Sequence, residues 1–71
     1  MEHFGDKLRV LRENRGLTIR QLATELGYNS HNHVASIERG ERLPATTLVL
    51  KIARLFDVPT DWLMKDELEL D

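Results

Sequence analysis

The spacing of apolar residues along the chain predicts five short helices. Phe4, Leu8, Leu11 and Arg15 fall at i, i+4, i+7 and i+11, so a first helix over residues 4–15 carries a stripe that runs out in a polar residue, and Gly16 stops it. Ile19, Leu22, Ala23 and Leu26 repeat at i, i+3, i+4 and i+7, the single stripe of an amphipathic second helix. Thr18 and Gln21 open that helix in the S/T-x-x-E/Q form of a capping box, where hydroxyl and amide each satisfy a free backbone donor. Gly27 follows the last apolar residue as a left-handed terminator, and Tyr28-Asn29 makes the corner. Ser30 suits the N-cap of a third helix running to about Arg39. Only Val34 and Ile37 are strongly apolar there, and they share one side. The other side holds His31, Asn32, His33, Ser36 and Arg39, short polar groups with donors and acceptors.

After Gly40, residues 41–44 form a loop in which Pro44 keeps Leu43 extended. Thr46 or Thr47 is expected to cap a fourth helix, whose Val49, Ile52, Ala53 and Phe56 repeat at helical spacing, with Leu48 and Leu55 widening the stripe. Asp57-Val58-Pro59 breaks it. Thr60-Asp61 starts a short fifth helix with Trp62 and Leu63 facing inward and an acid in its first turn, where the helix dipole favours it. The expected fold is therefore all-α, a compact bundle of five helices with helices two and three exposed on one face. Leu68 and Leu70 alternate with acids, which fits a frayed tail, an extra strand or a dimer contact.

Seventy-one residues make one small domain, and the absence of cysteine leaves its stability to helix packing. No run approaches the roughly 20 apolar residues of a membrane span and the start lacks a signal-peptide pattern, so a cytoplasmic protein is expected. The net charge of −2 is uneven. Residues 1–60 hold nine Lys/Arg against seven Asp/Glu, a balance of +2, whereas residues 61–71 hold one lysine against five acids, a balance of −4. A mildly basic body with an acidic end fits a protein that offers one face to phosphate, although a solvated tail on an ordinary domain has the same signature.

Two helices across a short glycine-containing turn are the helix-turn-helix arrangement, whose second helix lies in the DNA major groove. The stretch RGLTIRQLATELG, followed by VASIERGERLP and LVLKIARLFDVPTDWLM, resembles the Cro/C1-type (Xre) family of bacterial and phage regulators over residues 4 to 64. The RGLT junction, the I-E-x-G segment of Ile37, Glu38 and Gly40, and Pro44 before helix four carry the resemblance. It implies a lambda-repressor-like bundle, with residues 1–64 as the DNA-binding domain and 65–71 as an acidic C-terminal tail. One departure stands out. Family members usually have one residue fewer between the glycine and the first apolar residue of the recognition helix, here Gly27 to Val34.

The resemblance assigns base contacts to His31, Asn32 and Ser36. Asparagine can pair bidentately with adenine, histidine can donate to guanine and serine serves either. Backbone contacts fall to Thr18, Arg20, Ser30, His33, Arg39, Arg42, Thr46, Thr47 and Lys51, and Arg12 with Glu38 forms a brace between helix one and the recognition helix. The implied protein is a sequence-specific DNA-binding regulator, expected to be a repressor because a small protein blocks polymerase merely by occupying a site. It would act as a homodimer on double-stranded DNA with a pseudo-palindromic operator. The alternative is a protein-interaction module, antitoxin-like or antirepressor-bound, that uses helices four and five.

Other chemistries find little support. His31 and His33, two residues apart, do not share a helix face, and no third ligand has zinc-like spacing, so no metal is expected. Phe56 and Trp62 sit on apolar stripes and read as core. No nucleophile, paired acids beside a histidine or glycine-rich phosphate loop points to catalysis, so neither an enzyme nor a cofactor is expected.

Overall fold

A computed structural model describes residues 3–65. Among them the chain forms α1 (Phe4–Asn14), α2 (Ile19–Glu25), α3 (His31–Glu38), α4 (Thr46–Phe56) and α5 (Thr60–Met64), with no strand. Residues 66–71, including Leu68, Leu70 and most of the acidic tail, lie outside the described residues. The core gathers Phe4 and Leu8 of α1, Leu22 and Ala23 of α2 with Leu26 at its end, Val34 and Ile37 of α3, Leu48, Val49, Ile52, Ala53 and Phe56 of α4, and Leu63 of α5. Each apolar stripe therefore turns inward, and Trp62 packs half-buried against this core.

Helix ends follow from local chemistry. The first helix stops at Asn14, one residue short of the expected end, because Arg15 serves as its C-cap. The second begins with the reciprocal capping box: Gln21 N–H donates to Thr18 Oγ1 at 3.0 Å and Thr18 N–H donates to Gln21 Oε1 at 2.8 Å. It ends in a Schellman motif, with Gly27 N–H on Thr24 O and Tyr28 N–H on Ala23 O. Gly27 has φ 85°, a backbone conformation that a side chain would strain, and this turn sets the angle between α2 and α3. At the end of α4 the same left-handed position falls to Asp57, φ 56°, the one non-glycine residue of positive φ among those described.

The start of α4 corrects an expectation. Neither Thr46 nor Thr47 is the cap: Ala45 is, with no side-chain hydrogen bond, and the threonines are the first two helical residues. Burying Leu48 and Val49 fixes the helix one residue earlier than the hydroxyls would choose, so both amides donate to Ala45 O, at 3.0 and 3.1 Å.

Two residues of α1 that read as unremarkable in sequence govern its packing. Gly5 lies so close to the end of α3 that a Cβ built on it would stand 2.4 Å from Ile37 O and 2.6 Å from Glu38 O. The glycine is thus required for backbone-to-backbone approach of α1 and α3. Lys7 is completely buried. Its ammonium donates to Trp62 O and, at 3.1 Å, to Lys65 O, and lies 4.9 Å from the centre of the Trp62 ring. A lysine is almost never fully buried unless its charge is met. Here the carbonyls at the end of α5 and an aromatic face meet it, and α5 is tied to α1.

Candidate nucleic-acid interface

The third helix is held by its own apolar pair. Val34 and Ile37 are essentially inaccessible to solvent, and Ala35 and Glu38 are buried with them. That leaves the N-terminal turn outside. Ser30 caps it, its Oγ accepting from Asn32 N–H at 3.2 Å. His31 and Asn32 are exposed, and among the described residues neither side chain is hydrogen bonded. Ser36 is half-exposed, and its hydroxyl donates to Asn32 O at 2.9 Å. With its proton committed to the helix backbone, Ser36 Oγ meets a ligand as an acceptor, which suits an adenine or cytosine amino group.

Behind this helix, Arg12 and Glu38 form a two-point ion pair. Arg12 Nε donates to Glu38 Oε2 at 2.7 Å and Nη2 to Oε1 at 3.2 Å, while Nη1 donates to Leu17 O at 2.8 Å. The guanidinium thereby joins α1, the end of α3 and the approach to α2. The hydrogen bond that Arg12 donates to Glu38 holds the arginine's pKa above its ordinary value, more than burial lowers it. Arg12 therefore remains a cation throughout the working pH range.

The remaining basic and hydroxyl candidates differ in how they are held. Thr18 Oγ1 accepts from Gln21, so its hydroxyl proton stays available for a phosphate at the start of α2. Arg20 is exposed and its side chain is unpaired among the described residues. Thr46 and Thr47 are exposed in the first turn of α4. Lys51 donates to Leu26 O at 3.4 Å, at the C-terminal end of α2, where a cation favours the helix dipole. Arg39 is paired through Nε and Nη2 with both oxygens of Glu41, each at 3.0 Å. The pairing raises the Arg39 pKa and lowers that of the Glu41 carboxyl, in each case chiefly through the hydrogen bonds.

His33 stands apart from its neighbours. It is half-buried, its ring lies 4.5 Å from that of Tyr28 at 32°, and its Nδ1 is 2.9 Å from Arg42 Nη1. Neither the Glu41 clasp on Arg39 nor the Tyr28–His33–Arg42 cluster follows from helical spacing. The only sequence sign of the first is an acid two residues past an arginine, and of the second an aromatic residue in the corner.

These features can be set beside known proteins. A model of the helix-turn-helix family matches residues 8–63. The HTH-type transcriptional repressor RghR of Bacillus subtilis (strain 168) is 42% identical over 65 residues, which is 90% of this chain and 47% of that protein. The HTH-type transcriptional regulator ImmR of the same organism is 35% identical over 65 residues, 90% of this chain and 50% of that one. The chain thus spans about half the length of the curated relatives it matches. Among solved structures, the restriction-modification controller protein C.AhdI from Aeromonas hydrophila superposes with a TM-score of 0.76 at 33% identity, over 89% of this chain and 94% of its own.

Proposed function

This chain belongs to the Cro/C1-type helix-turn-helix family, and from that premise we propose that it is a sequence-specific DNA-binding transcriptional regulator that places α3 in the major groove. The observation that carries the reading is the N-terminal turn of α3: a helix anchored by Val34 and Ile37 leaves the donors and acceptors of His31 and Asn32 in solvent, unclaimed by any described residue. In this reading His31, Asn32 and Ser36 read base edges. Thr18, Arg20, Ser30, Arg39, Arg42, Thr46, Thr47 and Lys51 supply the phosphate contacts that fix register and give most of the affinity. The Arg12–Glu38 pair keeps α3 at the depth that reading requires.

Repression rather than activation accords with RghR, a transcriptional repressor. A two-fold dimer would match half-sites about 34–36 Å apart on a pseudo-palindrome. The protein would work where the DNA is, in the cytoplasm. No helix among the described residues is long and apolar enough to cross a membrane.

A second reading has its own observation. Leu50 and Met64 are exposed beside Pro44, Val49 and Thr60, an apolar groove between α4 and α5. It would seat a protein partner if the chain were an interaction module.

Selection of bound sequences from a random duplex pool, followed by a salt titration on the selected site, separates the two. A regulator enriches one motif and loses affinity steeply with salt, because each neutralised phosphate releases counterions. A pool that emerges without enrichment overturns the sequence-specific reading.

A further inference from the structure

We propose that His33 serves DNA binding as a positioning residue for Arg42, rather than through a DNA contact of its own. The inference rests on the DNA-binding reading above and deepens it. A guanidinium carries only donors, so the 2.9 Å approach of Arg42 Nη1 fixes the roles: Nδ1 of His33 is bare and accepts, and the ring proton is on Nε2. The ring is also packed against Tyr28, in the corner between α2 and α3, at 4.5 Å between ring centroids. His33 is therefore oriented before any DNA arrives.

What this orientation achieves is seen from Arg42. That residue lies in the exposed loop three positions beyond Arg39, the C-cap of α3, whereas His33 is the third residue of the helix. The hydrogen bond requires the arginine side chain to run back along the flank of α3 to its first turn. The charge then sits beside the end that carries His31 and Asn32, not at the far end where its backbone is. Among the described residues no carboxylate claims Arg42, in contrast to Arg12 on Glu38 and Arg39 on Glu41. Its other guanidinium N–H groups remain for a phosphate oxygen, and an arginine held in place gives up less rotamer freedom on binding than a free one. The His33 ring is thereby committed to Tyr28 and Arg42, and the residue that touches phosphate is Arg42.

A mixed-sequence 30-base-pair duplex, which reports phosphate contacts without an operator, is the probe, with affinity measured by fluorescence anisotropy across a salt series on the intact chain. Arg42→Ala should lower the steepness of log K against log salt by about 0.9, and weaken binding roughly eightfold at 0.1 M salt, the effect of one lost phosphate contact. His33→Ala should reproduce part of the same loss, and the double variant should bind no worse than Arg42→Ala alone. His33→Asn, whose Oδ1 takes the place of Nδ1, should restore binding, whereas His33→Gln, whose oxygen reaches the position of Nε2, should not. The Asn-against-Gln comparison carries the test should His33→Ala unfold. Losses that multiply in the double variant, or an Arg42→Ala protein with an unchanged salt slope, overturn the assignment while the DNA reading stands. A wild-type chain that binds no duplex at all overturns both.

Discussion

Removing Glu38 should cost far more than removing any exposed acid of this chain. The carboxylate is 5% exposed and the Arg12 side chain 12% exposed, with Nε and Oε2 2.7 Å apart. Taking one member from a pair buried this well strands the other, which costs about 3–5 kcal/mol. Two features place Glu38→Ala at the low end of that range. Arg12 keeps its bond to Leu17 O, and Glu13 Oε2 stands 3.9 Å from Nη2 as a weak substitute. Arg12→Ala belongs at the high end, since it leaves a buried carboxylate without its partner and frees Leu17 O as well. With about 4–8 °C of melting temperature per kcal/mol for a domain of this size, Glu38→Ala should melt at least 10 °C lower. Urea unfolding followed by circular dichroism at 222 nm gives the free energy directly. Replacing both residues by apolar ones of similar volume should recover most of the loss. Costs below 1 kcal/mol for both single variants would make the pair an ordinary surface contact and refute the bracing of α3 by α1.

Three further outcomes test the rest of the architecture. Gly5→Ala should destabilise by about 1–3 kcal/mol in a thermal melt, against the roughly 1 kcal/mol gain that alanine brings elsewhere in a helix, because its methyl group meets Ile37 O and Glu38 O. Lys7→Met should leave the carbonyls of Trp62 and Lys65 without their donor at about 1–3 kcal/mol, and Trp62 fluorescence should change at lower urea than the helical signal. Glu41 should titrate below an ordinary glutamate by carbon-13 NMR and return to the ordinary value in Arg39→Gln. Because its folded pKa is depressed, the stabilisation from this pair is present above the unfolded value and lost as pH falls through the lowered one.

Much of the frame was legible from local signals. Thr18 and Gln21 announce their reciprocal bonds, Gly27 its left-handed turn and Ser30 its cap, because each depends on residues within three positions of itself. The stripes of α2 and α4 turn inward as their period requires. What escaped depended on distant partners. Lys7 occupies the position between Phe4 and Leu8 on the buried stripe of α1, and an apolar frame around a lysine was the available sign, but its partners at Trp62 and Lys65 lie more than fifty residues away. Gly5 is explained only by the carbonyls of α3. The register of α4 follows Leu48 and Val49 rather than the threonine hydroxyls, since burying two large side chains outweighs a cap worth about 1 kcal/mol. The interface divides the same way: the exposure of His31 and Asn32 follows from the positions of Val34 and Ile37, while the Arg42–His33 bond joins a loop to a helix that no periodicity connects.

The central claim, that the outer side of the first turn of α3 reads bases, is tested most directly by Asn32→Ala. Its affinity is to be compared with wild type on the selected site and on a scrambled duplex of the same length and salt. Loss of one bidentate adenine contact should weaken the selected site by about 5–150-fold and leave the scrambled duplex unchanged. Affinity unchanged from wild type on both duplexes, or the same loss on each, would contradict it.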